Sequence, residues 1–157
     1  MNQGFGVSIA YTGPHRKPDA EESLQAKYLS LDDLAGSSDY ISIHTPGAET
    51  AGLIQAEHLS MMKETVLLVN TATPTIVDGE ALIEAAEKGS IRGLAMDGMY
   101  SDEKLAAKFL ELPEERILVT PRAAWLTDDS YNRMSDMAVA SIEDYALGAA
   151  VIRHQVL

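Results

Sequence analysis

The chain has 157 residues, 46% of them hydrophobic and 23% charged, with a formal net charge of −12 and no cysteine. That length suits one domain, 1–157, and the apolar share suffices for a core, which excludes wholesale disorder. The negative charge argues against nucleic acid and anionic membrane as partners, since both require clustered cations. The missing thiols exclude disulfides, thiolate catalysis and zinc–thiolate sites, and a reducing cytoplasm is the expected location.

No apolar run approaches the ~20 residues of a membrane span. The opening MNQGFGVSIAY lacks the basic start and long apolar run of a secretory signal. The first predicted strand is VSIAYT, 7–12, followed by the basic turn Gly13-Pro14-His15-Arg16-Lys17. SLDDLAGSS, 30–38, reads as a helix with Ser30 as its N-cap. YISIHT, 40–45, is the next strand and IQAEHLSMMK, 54–63, the next helix. TVLLVNTA, 65–72, is again a strand. In VDGEALIEAAEKGS, 77–90, Asp78 sits at an N-cap, Leu82, Ile83 and Ala86 share a face, and Gly89 stops the helix.

Strands IRGLAMDG, 91–98, and RILVTP, 116–121, follow, the second running into Pro121 and Arg122. A residue just past a strand's carboxyl end often carries function in an α/β protein. The last helix is predicted from Thr127, with Asp128 and Asp129 at its positive end. Tyr131, Met134, Ala138, Ile142 and Tyr145 recur at three- and four-residue steps and predict one buried stripe. The tail GAAVIRHQVL, 148–157, reads either as a docking segment or as a frayed helix end. The strands are rich in Val, Ile and Leu, as strands covered on both faces should be. Their alternation with helices predicts an α/β fold with a doubly wound parallel sheet.

Five phrases in register, GFGVSIAYTGPHRKP (4–18), YLSLDDLAGSSDYISIHTP (28–46), ETAGLIQAEHLSMMKETVLLVNTA (49–72), VDGEALIEAAEKGSIRGLAMD (77–97) and ILVTPRAA (117–124), resemble the nucleotide-binding domain of the D-isomer-specific 2-hydroxyacid dehydrogenase family over nearly the whole chain. The resemblance implies a Rossmann-like sheet that is incomplete. The family's first strand, its glycine-rich G-x-G-x-x-G turn and its separate substrate-binding domain have no counterpart here. Loss of that central strand is expected to part strand 7–12 from strand 65–72 and to bare two apolar edges. A second copy of the chain, as a homo-oligomer, or another subunit is the expected cover.

The family passes hydride between nicotinamide and C2 of its substrate, using a histidine, a carboxylate that orients it, and an arginine that clamps the substrate carboxylate. The resemblance places Thr73, Asp102 and Arg122 at the arginine, carboxylate and histidine positions. A guanidinium stays protonated and cannot act as a base. A hydroxyl cannot replace a bidentate cation. Asp102 keeps its charge and could pair with Arg122. Of the four histidines, His15, His44, His58 and His154, His44 matches an H-x-P loop beside the family's cofactor, where a loop hydrogen bond is the favoured reading. No histidine pair has metal-ligand spacing, so no metal site is expected.

For cofactor, the resemblance implies contacts from Thr45, Pro46, Thr71, Ala72 and Asp97, with Asp97 meeting the carboxamide. After the first predicted strand, Thr12 is followed by His15, Arg16 and Lys17 where NAD-specific relatives carry an acid. That resembles NADP-preferring members, and reads equally as a solvated basic turn. NADP(H) or NAD(H) is therefore the implied ligand, held weakly without a phosphate loop. The expected function is that of a degenerate homologue, serving as a binding or structural module without hydride transfer of its own. The alternative is an NADP(H)-dependent 2-hydroxyacid dehydrogenase or 2-oxoacid reductase completed by a partner chain or protomer.

Overall fold

The computed structural model describes residues 2–46 and 49–148. His154 and both readings of the tail beyond 148 lie outside them. The chain forms two compact units, Met1–Pro121 and Arg122–Leu157.

In the first unit, a helical turn α1 (Asn2–Phe5) leads to β1 (Ala10–Tyr11), α2 (Pro18–Leu24), β2 (Lys27–Tyr28), α3 (Leu31–Ser37) and β3 (Tyr40–Ile43). Then come α4 (Ala56–Met61), β4 (Leu67–Asn70), a 3-10 turn (Pro74–Ile76), α5 (Gly79–Glu87), β5 (Gly93–Asp97), α6 (Glu103–Leu110) and β6 (Ile117–Thr120). The local chemistry explains most of these boundaries. Ser30 Oγ accepts the Asp33 amide at 3.1 Å, and Asp78 Oδ1 accepts that of Ala81 at 2.9 Å, so both predicted caps satisfy an orphan helix donor. Gly89, at φ +69°, turns α5 off in the left-handed conformation that glycine tolerates.

The strands form two parallel sheets. β1 pairs with β2 alone, and the larger sheet runs β3-β4-β5-β6. The predicted α/β architecture with parallel sheets is therefore present. The expected bare edge at 65–72 is not. β4 is interior, bonded to β3 and β5. The reason is β2, two exposed residues without an apolar pattern, which is the third strand of the fold and went unseen. Counting it, the break in strand pairing falls between the β1-β2 sheet and β3 rather than at β4. The strand expected over 7–12 is reduced to Ala10–Tyr11, and α2 and α6 join β2 as elements the sequence did not announce.

Register fixes what each face of the larger sheet carries. Ile41, Leu68 and Leu94 form one row and Ile43, Asn70 and Met96 the next, all buried against the helices. Val66, Leu82, Ile76, Ile91 and Phe109 complete that core, with Phe109 stacked on Tyr100 at 5.2 Å. The opposite face shows Tyr40, 72% exposed, and Leu118, 61% exposed, with Leu67, Val69 and Ala95 half-buried between them. The expectation of strands covered on both faces thus holds for one face within this chain.

The second unit holds α7 (Asp128–Ala146), capped by Thr127 Oγ1, which accepts the Ser130 amide at 3.1 Å. Its predicted stripe is not buried. Tyr131, Met134, Ile142 and Tyr145 are exposed, and no described residue of α7 is buried. Periodicity records that a helix face wants cover; it does not say that the cover lies in the same chain.

Candidate functional site

Parallel pairing brings the carboxyl ends of four strands to one level. Ile43, Asn70, Met96 and Val119 share a row, and Asp97 pairs with Thr120 one residue further on. Residues just past this row therefore lie together along one rim. Of the expected contacts, His44, Thr45, Pro46, Thr71, Ala72 and Asp97 belong to it. Thr12, His15, Arg16 and Lys17 follow β1, in the smaller sheet.

Asp97 is the buried acid of the rim, 8% exposed. Its Oδ1 accepts the Thr120 hydroxyl at 2.5 Å, a charge-assisted bond that register across β5 and β6 makes possible. Asn70, 2% exposed, was not singled out from sequence, yet it shapes the next loop. Its Oδ1 accepts the Ala72 amide at 2.9 Å and its Nδ2 donates to the Thr73 carbonyl at 3.2 Å. Both ends of the Thr71–Thr73 turn are thereby fixed to the end of β4. Asparagine at the end of an apolar strand was the available signal, since its side chain readily mimics a turn.

Thr73 precedes buried Pro74 and starts the 3-10 turn. His44 Nε2 lies 2.8 Å from Ser42 Oγ, and Thr50 Oγ1 bonds Thr45 Oγ1 at 3.0 Å and the Pro46 carbonyl at 2.5 Å. His58 is away from the rim. Its Nδ1 accepts the Gln55 amide at 3.1 Å and its Nε2 lies 3.5 Å from Asp32 Oδ1, so it caps α4 and ties it to α3. Asp102 caps α6, with Oδ1 accepting the Lys104 and Leu105 amides, each at 2.9 Å. Arg122 opens the second unit, exposed and at φ +57°, a left-handed conformation uncommon outside glycine. Among the described residues no cluster of three or more His, Asp or Glu is placed to hold a metal.

At the end of β1, Arg16 of the basic turn is not an open cation. Arg16 donates through Nε and one terminal nitrogen to the two oxygens of Glu21, at 3.0 and 2.5 Å. Tyr11 donates its hydroxyl to Glu21 Oε1 at 2.6 Å, and Tyr28 lies edge-on to Tyr11 at 5.3 Å. Hydrogen bonds from Arg16 and Tyr11 hold the Glu21 carboxyl down to about 2. Glu21 comes from α2, an element the sequence did not announce, so nothing at 12–17 pointed to it.

A hollow on the open face of the larger sheet, lined among others by Leu67, Val69, Gly93, Ala95, Arg116 and Leu118, lies toward the amino-terminal halves of the strands rather than at this rim.

Residues 1–124 match the family described as D-isomer specific 2-hydroxyacid dehydrogenase, NAD binding domain. A glyoxylate reductase of Aeropyrum pernix is 36% identical over 149 residues, covering 94% of this chain and 44% of that protein. A hydroxypyruvate reductase of Blautia hydrogenotrophica is 27% identical, covering 95% of this chain and 46% of that protein. Among solved structures, D-lactate dehydrogenase from Aquifex aeolicus, complexed with NAD and lactic acid, superposes with a TM-score of 0.83 at 32% identity, covering 93% of this chain and 48% of that one. The chain spans about half the length of the relatives it matches.

Proposed function

Since the chain belongs to the D-isomer specific 2-hydroxyacid dehydrogenase family through its NAD-binding domain, we propose that it is a nicotinamide-dinucleotide-domain module that does not transfer hydride by itself and acts in an assembly with a second chain or copy. The observation that carries this reading is the substitution at the three family positions. Thr73 offers a hydroxyl in place of a bidentate cation, and Arg122 offers a cation in place of a titrating imidazole. Asp102 is engaged as a helix cap. Neither a hydroxyl nor a guanidinium replaces the family's imidazole.

The rim residues fit part of a dinucleotide. Asp97 is a buried carboxylate whose acceptor oxygens suit an amide N–H, and the Thr45 and Thr71 hydroxyls stand along the same rim. Thr45, Pro46, Thr71, Ala72 and Asp97 would hold the nicotinamide side. Thr12 and the His15, Arg16 and Lys17 turn would face the adenosine side, with or without a 2′-phosphate. Bound there, the cofactor supplies the hydride-carrying ring; this chain's residues orient it.

Purified chain mixed with NADH or NADPH and glyoxylate or hydroxypyruvate is expected to show no oxidation of the nucleotide above background, whereas enzymes ordinarily turn over at ~1–10³ s⁻¹. Robust turnover by the pure chain would overturn the reading. The separation of the β1-β2 sheet from the larger sheet favours a second reading, a 2-oxoacid reductase completed by a partner that enters between β1 and β3. It predicts activity that appears only in the assembled state.

A further inference from the structure

The cluster behind the basic turn decides how that turn would read a nucleotide. Two of the five N–H donors of Arg16, on Nε and one terminal nitrogen, are committed to Glu21, at 3.0 and 2.5 Å. Arg16 Cζ also lies 5.6 Å from the centre of the Tyr28 ring, and the Tyr28 hydroxyl donates to the Gly13 carbonyl at 2.8 Å. The Lys17 amide donates to the Tyr11 hydroxyl at 2.6 Å, and that hydroxyl donates in turn to Glu21. The turn, the ring beneath it and the carboxylate are thus one connected unit. A 2′-phosphate gains most from a cation whose charge is unmatched, and here a carboxylate already pairs with Arg16 along its Nε edge. A ribose hydroxyl makes no such demand. An incoming phosphate would also meet the negative charge of Glu21, whose side chain keeps 22% of its surface in solvent.

We infer that Glu21 sets the nucleotide preference of this chain against a 2′-phosphate by pairing with Arg16 and matching its charge. The inference rests on the nucleotide-binding reading above, and it makes Glu21 a specificity residue that acts through Arg16.

The test is calorimetric titration of the folded chain and of Glu21→Gln with adenosine 5′-monophosphate and adenosine 2′,5′-bisphosphate, which differ only in the 2′-phosphate. Wild-type chain is expected to show no preference for the bisphosphate. Glu21→Gln keeps an acceptor for Tyr11 and removes the charge; it should shift the affinity ratio toward the bisphosphate about fivefold, the scale of a half-exposed ion pair. Adding Arg16→Gln should return the ratio to its starting value. His15 and Lys17 are common to all three proteins, so the ratio isolates Glu21. A wild-type preference for the bisphosphate, or a ratio unchanged by Glu21→Gln while both nucleotides bind, would overturn the inference and leave the binding reading intact. Binding of neither nucleotide to any of the folded proteins would remove both. If Glu21→Gln fails to fold, the Arg16 Nε–H resonance of the wild-type chain decides. It should stay in place on addition of the bisphosphate, and its displacement would overturn the inference.

Discussion

At the scale of single residues, the rim depends on polar groups satisfied by adjoining strands and turns. Thr120 donates to Asp97 from the adjoining strand. Replacing it with Val keeps the shape and removes the donor from a carboxylate that is 8% exposed. Thr120→Val is expected to cost about 1–2 kcal/mol in urea unfolding, and Thr120→Ser much less, because the serine hydroxyl restores the bond. Equal losses in the two variants would show that packing of the methyl group, not the hydroxyl, matters there. Glu21 gives a pH signature. Its carboxyl is held at about 2, below the ordinary 4.5, by hydrogen bonds from Arg16 first and Tyr11 second. A carboxyl depressed on folding stabilises the fold above its unfolded value, and that contribution is lost as pH falls from about 4.5 to about 2. Glu21→Gln should therefore flatten the acid limb of the stability curve in that window. A carbon-detected titration of Glu21 returning an ordinary value would show that the Arg16 pair does not persist in solution.

Elements were legible where their signals are local. Ser30 and Asp78 each precede a helix and each accepts an amide three residues on, so a cap read from sequence is a cap in space. Asp78→Ala should cost about 1 kcal/mol, read from thermal unfolding. The next residue makes a different demand. A Cβ on Gly79 would come 2.5 Å from Leu105 Cδ2 and 3.1 Å from two carbons of the Tyr100 ring. Gly79→Ala should therefore lose about 1–3 kcal/mol despite the better helix propensity of alanine, because α5, α6 and Tyr100 are in contact there. Stabilisation instead would mean that Leu105 moves aside freely. Two of the elements that were not legible lack such signals. β2 is two exposed residues paired only with β1, and α2 buries none of its side chains. Without apolar periodicity, only tertiary position identifies them. The same holds for the site. The rim residues follow from strand ends and register, whereas Glu21 reaches Arg16 from an unannounced helix, and Asn70 acts through a turn rather than through charge.

At the scale of the whole molecule, the sequence carries more apolar patterning than one chain buries. Strands read as covered on both faces leave Tyr40 and Leu118 in solvent on one face of the larger sheet. The α7 stripe read as buried leaves Tyr131, Ile142 and Tyr145 exposed. Apolar surface of this kind marks an interaction site or an aggregation hazard. On the larger sheet, β3 is bonded on one side to β4 and is the edge strand among the described residues, so its other edge carries backbone groups to be satisfied. We therefore expect the pure chain to associate. Light scattering should return at least twice the mass of one chain at working concentrations. A charge placed on the open sheet face, as in Leu118→Lys, should shift the equilibrium toward the monomer, since an ammonium cannot be buried there without a partner. A matching charge on the helix stripe, Ile142→Lys, tests the second unit by itself. If only the helix variant dissociates the assembly, α7 is the seat of association and the sheet face is left for a different partner. If neither does, contacts along the edges of β1 and β3 hold the copies together. A chain that stays monomeric throughout would show that these faces await another protein, and would turn the search toward it.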